Sequence, residues 1–176
     1  MSNKPFQFKE FTIQQDKTAM KVGTDGVLLG AWAEINSKVF SVLDIGAGTG
    51  LIALMIAQKS NVEVIDAIEL NNDAYEQTVE NFENSDWGDR LFCYHASLQE
   101  FVDEIDDEYD LIISNPPFYT STYKEISEER AMARHTESLT YHELLEGTSK
   151  LLSEIGSCAF IIPFSEEENF IELAKQ

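Results

Sequence analysis

The stretch Val42–Leu54, VLDIGAGTGLIAL, sets an apolar run against three glycines at 46, 48 and 50 and then resumes as a second apolar run. The first run is short and β-branched enough for a buried strand. The second has the length and composition of a helix start. Glycine between them serves where a turn is tight and where a ligand must approach the backbone without meeting a Cβ. The stretch therefore reads as strand, ligand loop and helix, the opening unit of an α/β sheet.

Working outward, the rest of the chain repeats that alternation. Strands are expected at 39–45, 62–68, 91–95, 109–114 and 157–163, as nearly continuous apolar runs. Helices are expected at about 50–59, 71–83, 97–103 and 140–152, with a last one from about 166. Continuous apolar strands are those buried on both faces, so the fold class is α/β: a doubly wound, mostly parallel, Rossmann-like sheet. Ahead of it, Phe6, Phe8, Phe11 and Ile13 alternate with polar residues, and the chain is expected to reverse at Asp16–Thr18, giving an N-terminal β-hairpin. A short helix should follow, capped by Thr24 or Asp25.

At 176 residues the chain suits one domain, with 1–36 forming the hairpin and a capping helix and 37–176 the core. A content of 43% hydrophobic and 25% charged residues is that of a globular protein, and no apolar run is long enough for a bilayer. The opening residues lack a secretory layout. Cys93 and Cys158 lie in apolar runs and read as buried small residues in a reducing cytosol, so the expected location is cytoplasmic. The histidines at 95, 135 and 142 share no ligand spacing with them, so no metal is expected. A net charge of −20 argues against sequence-independent binding to phosphates. Local positive clusters remain at Lys4, Lys9, Lys17, Lys21 and Lys38, and at Lys124, Arg130 and Arg134. A nucleic-acid partner should meet those segments.

The glycine spacing separates two cofactor classes. A dinucleotide fingerprint needs a small residue at position 51, where this chain has Leu51. Asp44 followed by Gly46, Gly48 and Gly50 instead resembles the first motif of Rossmann-like S-adenosylmethionine-dependent methyltransferases. Asp44 would suit the cationic end of that cofactor, and Glu69, at the end of the second core strand, could accept both ribose hydroxyls. At the end of the fourth core strand stands Asn115-Pro-Pro-Phe118, followed by Tyr119. An exocyclic aromatic amine is a poor nucleophile because its lone pair is conjugated with the ring. Two acceptors, the Asn115 side-chain oxygen and the Pro116 carbonyl, could hold its hydrogens and aim the lone pair. Phe118 could stack on the base. The motif resembles the (D/N)PP(Y/F) signature of methyltransferases acting on planar nitrogens.

Four segments together, FKEFTIQQDKTAMKVGTDGVLLGAWA, LDIGAGTGLIALMIAQ, DLIISNPPFY and ARHTESLTYHELL, resemble the bacterial tRNA1(Val) adenine-N6 methyltransferase family. The resemblance spans nearly the whole chain. It implies a tRNA substrate methylated at adenine 37, with Lys21, Gly23, Thr24 and Asp25 closing over the amino-acid end of the cofactor. Arg130, Arg134 and His135 would then lie near RNA. Three features depart from the family pattern. Phe118 replaces the usual Tyr. Ser97 stands where an Asp usually meets the cofactor's adenine amino group. The chain stops shortly after the fifth core strand, so a C-terminal strand hairpin is expected to be absent. The alternatives are another NPPF methyltransferase, acting on guanine-N2 of rRNA or on a protein glutamine, an inactive cofactor-binding module, or a nicotinamide oxidoreductase.

Overall fold

The computed structural model describes residues 4–116 and 139–176. Its N-terminal hairpin pairs β1 (Phe6–Gln7) with β2 (Thr12–Ile13) in antiparallel register, Phe6 opposite Ile13. The reversal falls at Phe8–Phe11, where the Phe8 amide donates to the Phe11 carbonyl at 2.9 Å and the two rings stack at 4.6 Å. It does not fall at Asp16–Thr18, because the backbone of 14–17 is bonded to side chains of a later helix. The first helix, α1 (Thr24–Trp32), also begins differently from expectation. Its N-cap is Gly23, with no side-chain cap, and Thr24 is the first helical residue.

Five parallel strands form the sheet: β3 (Ser41–Ile45), β4 (Val64–Glu69), β5 (Leu91–His95), β6 (Tyr109–Ser114) and β7 (Leu152–Phe160). Their order is β5-β4-β3-β6-β7. Neighbouring side chains on a strand go to opposite faces. Accordingly Val42, Ile65, Leu111 and Ile113 join one buried cluster with α2 (Leu51–Lys59), whereas Leu43, Ile45, Ile68 and Ile112 join another. That second cluster includes residues of α4 (Leu98–Glu104), α5 (Tyr141–Leu151) and α6 (Glu167–Leu173). Between β4 and β5 runs α3 (Asn72–Glu83). Two-sided burial is why the three inner strands, β3, β4 and β6, carry no polar alternation.

β7 starts five residues earlier than its apolar run, directly after α5, and slips register against β6 between Tyr109 and Leu111. Ser153, Glu154, Gly156 and Ser157 break the apolar pattern there and hid that start. As an outer strand, β7 also leaves Cys158 exposed rather than buried, while Cys93 is half-buried and its thiol is pushed up to about 12, first by desolvation. The strand order reverses direction at β3. In open sheets of this kind the ligand crevice opens there, beyond the carboxyl ends of the strands.

Candidate cofactor and active site

The loop after β3 is held from below. The amides of Gly46 and Ala47 both donate to the Ile68 carbonyl, at 2.9 and 3.1 Å. Gly46 and Gly48 adopt φ of 74° and 61°, in the left-handed region, and a Cβ on either would meet nothing within 4 Å. Their exposed backbone borders open space, as a ligand loop requires. Gly50 differs. A Cβ there would lie 2.6 Å from the Phe82 ring and 3.0 Å from Thr78, so this glycine lets α2 start against α3, and it is not on the wall of the cavity at the strand ends.

Glu69, at the end of β4, organises the loop as well as facing the crevice. Its Oε2 accepts from the Gly48 amide at 2.8 Å and its Oε1 from the Asn71 amide at 2.9 Å. Each oxygen keeps a second lone pair, so two ribose hydroxyls can still be accepted. Asp44 takes a different place from the one expected. It is fully buried beneath the loop, off the cavity wall, with Oδ2 accepting from the Ala53 amide at 3.2 Å. Burial pushes its carboxyl up to about 7, with Glu69 adding to the rise and the Ala53 amide opposing it.

A cavity of about 700 Å³ opens over these strand ends, within the range of small-molecule sites. Its wall runs from His95–Ser97 at β5, through Glu69 at β4 and Gly46 and Gly48 at β3, to Ser114–Pro116 at β6. The Ser114 hydroxyl donates to the Ile45 carbonyl at 2.7 Å and ties the last two strand ends together. Asn115 Oδ1 is buried on this wall and has no hydrogen-bond partner among the described residues. A buried acceptor left unpaired costs free energy, which makes it available to a donor on a ligand. Phe118, Tyr119, Arg130, Arg134 and His135 lie outside the described residues.

Ser97 lines the cavity but is already engaged. It caps α4 by accepting from the Glu100 amide at 3.2 Å, while its hydroxyl donates to Glu100 Oε2 at 2.8 Å. The S-x-x-E spacing of Ser97 and Glu100 is the capping-box signature, visible in the sequence. Lys21 and Thr24 are not on the cavity wall. Lys21 Nζ donates to the carbonyls of Gln15 and Thr18, the latter at 2.7 Å, and Thr24 is exposed at the start of α1. From this N-terminal segment it is Thr18, Ala19 and Met20 that line the cavity.

Sequence reasoning also passed over three polar residues of α3. Asn81 Nδ2 donates to the carbonyls of Gln14 (2.9 Å) and Thr49 (2.8 Å), and its Oδ1 accepts from the Gln14 amide at 2.8 Å. Gln77 Oε1 accepts from the Lys17 amide at 2.9 Å, and the Thr78 hydroxyl donates to the Gly48 carbonyl at 3.0 Å. All three are buried. Polar residues at 77, 78 and 81 share one helix face, and that spacing was the signal available. His95, also on the wall, stacks against Tyr75 at 5.1 Å with Nε2 2.9 Å from the Leu70 carbonyl.

Open backbone at Gly46 and Gly48, a carboxylate at the second strand end and an unpaired carboxamide oxygen at the fourth together suit a nucleoside cofactor beside a planar amine. Among the described residues no group of His, Cys, Asp and Glu is arranged to hold a metal ion.

Known proteins match this chain at several levels. The methyltransferase small domain family matches residues 27–162. The tRNA1(Val) (adenine(37)-N6)-methyltransferase of Christiangramia forsetii is 62% identical over 98% of this chain and 73% of its own length. Its counterpart from Flavobacterium johnsoniae is 61% identical over 97% of this chain and 72% of its own. Among solved structures, the SAM-dependent methyltransferase from Agrobacterium tumefaciens aligns with a TM-score of 0.69 at 15% identity. The alignment covers 100% of this chain and 59% of that one, a likeness of fold. Matched over most of its length by the domain family, and at this identity by relatives that cover it nearly end to end, the chain belongs to the tRNA1(Val) (adenine(37)-N6)-methyltransferase family.

Proposed function

We propose that this chain transfers a methyl group from S-adenosylmethionine to the exocyclic N6 of adenine 37 in tRNA1(Val). The observation that carries the reading, beside the family, is the unpaired Asn115 Oδ1 on the cavity wall. When bound, the cofactor supplies an electrophilic methyl group on sulfur and departs as a neutral thioether. Glu69 would accept its ribose hydroxyls, Gly46 and Gly48 would let it approach the backbone, and the β5 end would receive its adenine. Asn115 Oδ1 and the Pro116 carbonyl would accept the two hydrogens of the target amine. That favours a pyramidal nitrogen whose lone pair points at the methyl carbon. As nitrogen takes the methyl group its positive charge grows, and the same two acceptors stabilise it until a proton passes to water. No strong base is required.

In this reading Phe118 stacks on the flipped base, and Tyr119, Arg130, Arg134 and His135 serve the RNA. An anticodon-loop base leaves its stack more cheaply than one in a duplex. Residues 1–176 work as one domain, because the N-terminal segment completes a wall of the cavity. No helix among the described residues is long and apolar enough to cross a membrane, and a tRNA substrate places the enzyme in the cytoplasm.

The test is a calorimetric titration with S-adenosylhomocysteine, followed by incubation of unmodified tRNA1(Val) with S-adenosylmethionine and mass spectrometry of the digested product. N6-methyladenosine at position 37 is expected. Asn115→Ala should lower turnover by about 10²-fold or more, as loss of a transition-state acceptor does, while leaving S-adenosylhomocysteine binding within about threefold. A product on guanine-N2, or none on tRNA, would overturn the assignment.

A further inference from the structure

Thr18 is 4% exposed, lines the cavity, and its hydroxyl has no hydrogen-bond partner among the described residues. The backbone on either side of it is tethered. Lys17 N–H donates to Gln77, the Thr18 carbonyl accepts from Lys21 Nζ, and Val22 N–H donates to Gln15 Oε1 at 2.9 Å. The side chain is thus held in place by its neighbours, yet the hydroxyl itself is left over. A rigid, buried and unpaired hydroxyl on a cavity wall points to a ligand group.

Its position says which part of the ligand. Gln77 and Thr78 are adjacent on α3, and while Gln77 holds Lys17, Thr78 holds Gly48. Thr18 therefore stands beside the glycine loop, at the β3 end. Glu69 lies one strand away and His95–Ser97 two strands away, each step about 4.8 Å. With ribose at Glu69 and adenine at β5, the amino-acid end of the cofactor falls at Thr18. That end carries a carboxylate, which needs donors. Among the described residues no Lys or Arg lines the cavity, and Lys21, off its wall, has two of its three N–H donors on carbonyls.

We propose that the Thr18 hydroxyl donates a hydrogen bond to the α-carboxylate of bound S-adenosylmethionine, an inference that rests on the cofactor reading above. Wild type, Thr18→Val and Thr18→Ser are titrated with S-adenosylhomocysteine and with 5′-methylthioadenosine, which keeps the adenosine and thioether but lacks the amino acid. Thr18→Val should weaken S-adenosylhomocysteine about tenfold, the size of one hydrogen bond to a charged group, and leave methylthioadenosine within twofold. Thr18→Ser should restore most of the loss. The melting temperature of ligand-free Thr18→Val should not fall, because valine removes an unpaired hydroxyl from a buried place. Thr18→Ala serves as a second variant with the same ligand pattern expected. Equal weakening of both ligands, or no weakening of either, would overturn the proposal while the cofactor reading stood. Failure of wild type to bind S-adenosylhomocysteine would overturn both.

Discussion

Asp44 has no exposed surface, one oxygen on the Ala53 amide and the other with no partner among the described residues. Its folded-state value of about 7 lies above the ordinary 3.8, chiefly through desolvation. Between those values the folded chain keeps a proton that the unfolded chain gives up. This contribution to stability is therefore complete at low pH and lost as pH rises from about 4 to about 7. Asparagine at 44 cannot ionise. In urea unfolding at pH 5 and pH 8, the midpoint should fall more for wild type than for Asp44→Asn. The carboxyl of Asp66, also raised, contributes to both proteins and cancels. Equal falls would mean that Asp44 ionises as if in water. The acid was legible in the sequence from its place before the glycines, but its depth was not. Whether a strand-end carboxylate faces a cavity or a helix depends on how α2 seats over the loop. The same holds for Lys21, which looked like a ligand cation and is satisfied by carbonyls three and six residues before it in the chain.

Elements read better than side chains. β4 and β6 were legible within two residues because both of their faces are buried and no alternation interrupts the apolar run. β5, at the sheet edge with Phe92 and Tyr94 exposed, was legible because its sequence is apolar all the same. What escaped was structure made by contacts distant in sequence. Asn81 bonds both backbone groups of Gln14, 67 residues away, and the Thr49 carbonyl, 32 residues away. Through it α3 fastens the N-terminal segment to the glycine loop, and so links two walls of one cavity. Asn81→Ala would leave three backbone groups short of partners, at a cost of about 2–4 kcal/mol in stability. It should also weaken S-adenosylhomocysteine by several fold at a temperature where the variant is still folded. Urea titration and calorimetry measure the two effects separately. A stability loss with unchanged ligand affinity would make the tether a fold device alone.

At the scale of the whole molecule the question is how a chain of net charge −20 holds RNA. The N-terminal lysines looked like one positive cluster, and the structure divides them. Lys17 pairs with Glu80 at 3.1 Å and Lys21 is spent on carbonyls. Elsewhere Lys59 and Arg90 donate to backbone carbonyls at the ends of α1 and α2, and Lys150 pairs with Glu146 at 2.8 Å. At least five of the twelve basic side chains thus already have partners within the chain. Each phosphate neutralised on a single strand adds about −0.7 to the slope of log affinity against log salt. Repulsion from the acidic surface around the remaining cations limits the phosphate contacts that can form. Binding of tRNA1(Val) measured by fluorescence anisotropy between 50 and 200 mM salt should show a slope no steeper than about −3. Recognition would then rest on the flipped base and its pocket more than on the backbone. A slope near −6 would instead require a basic surface that this composition leaves little room to build.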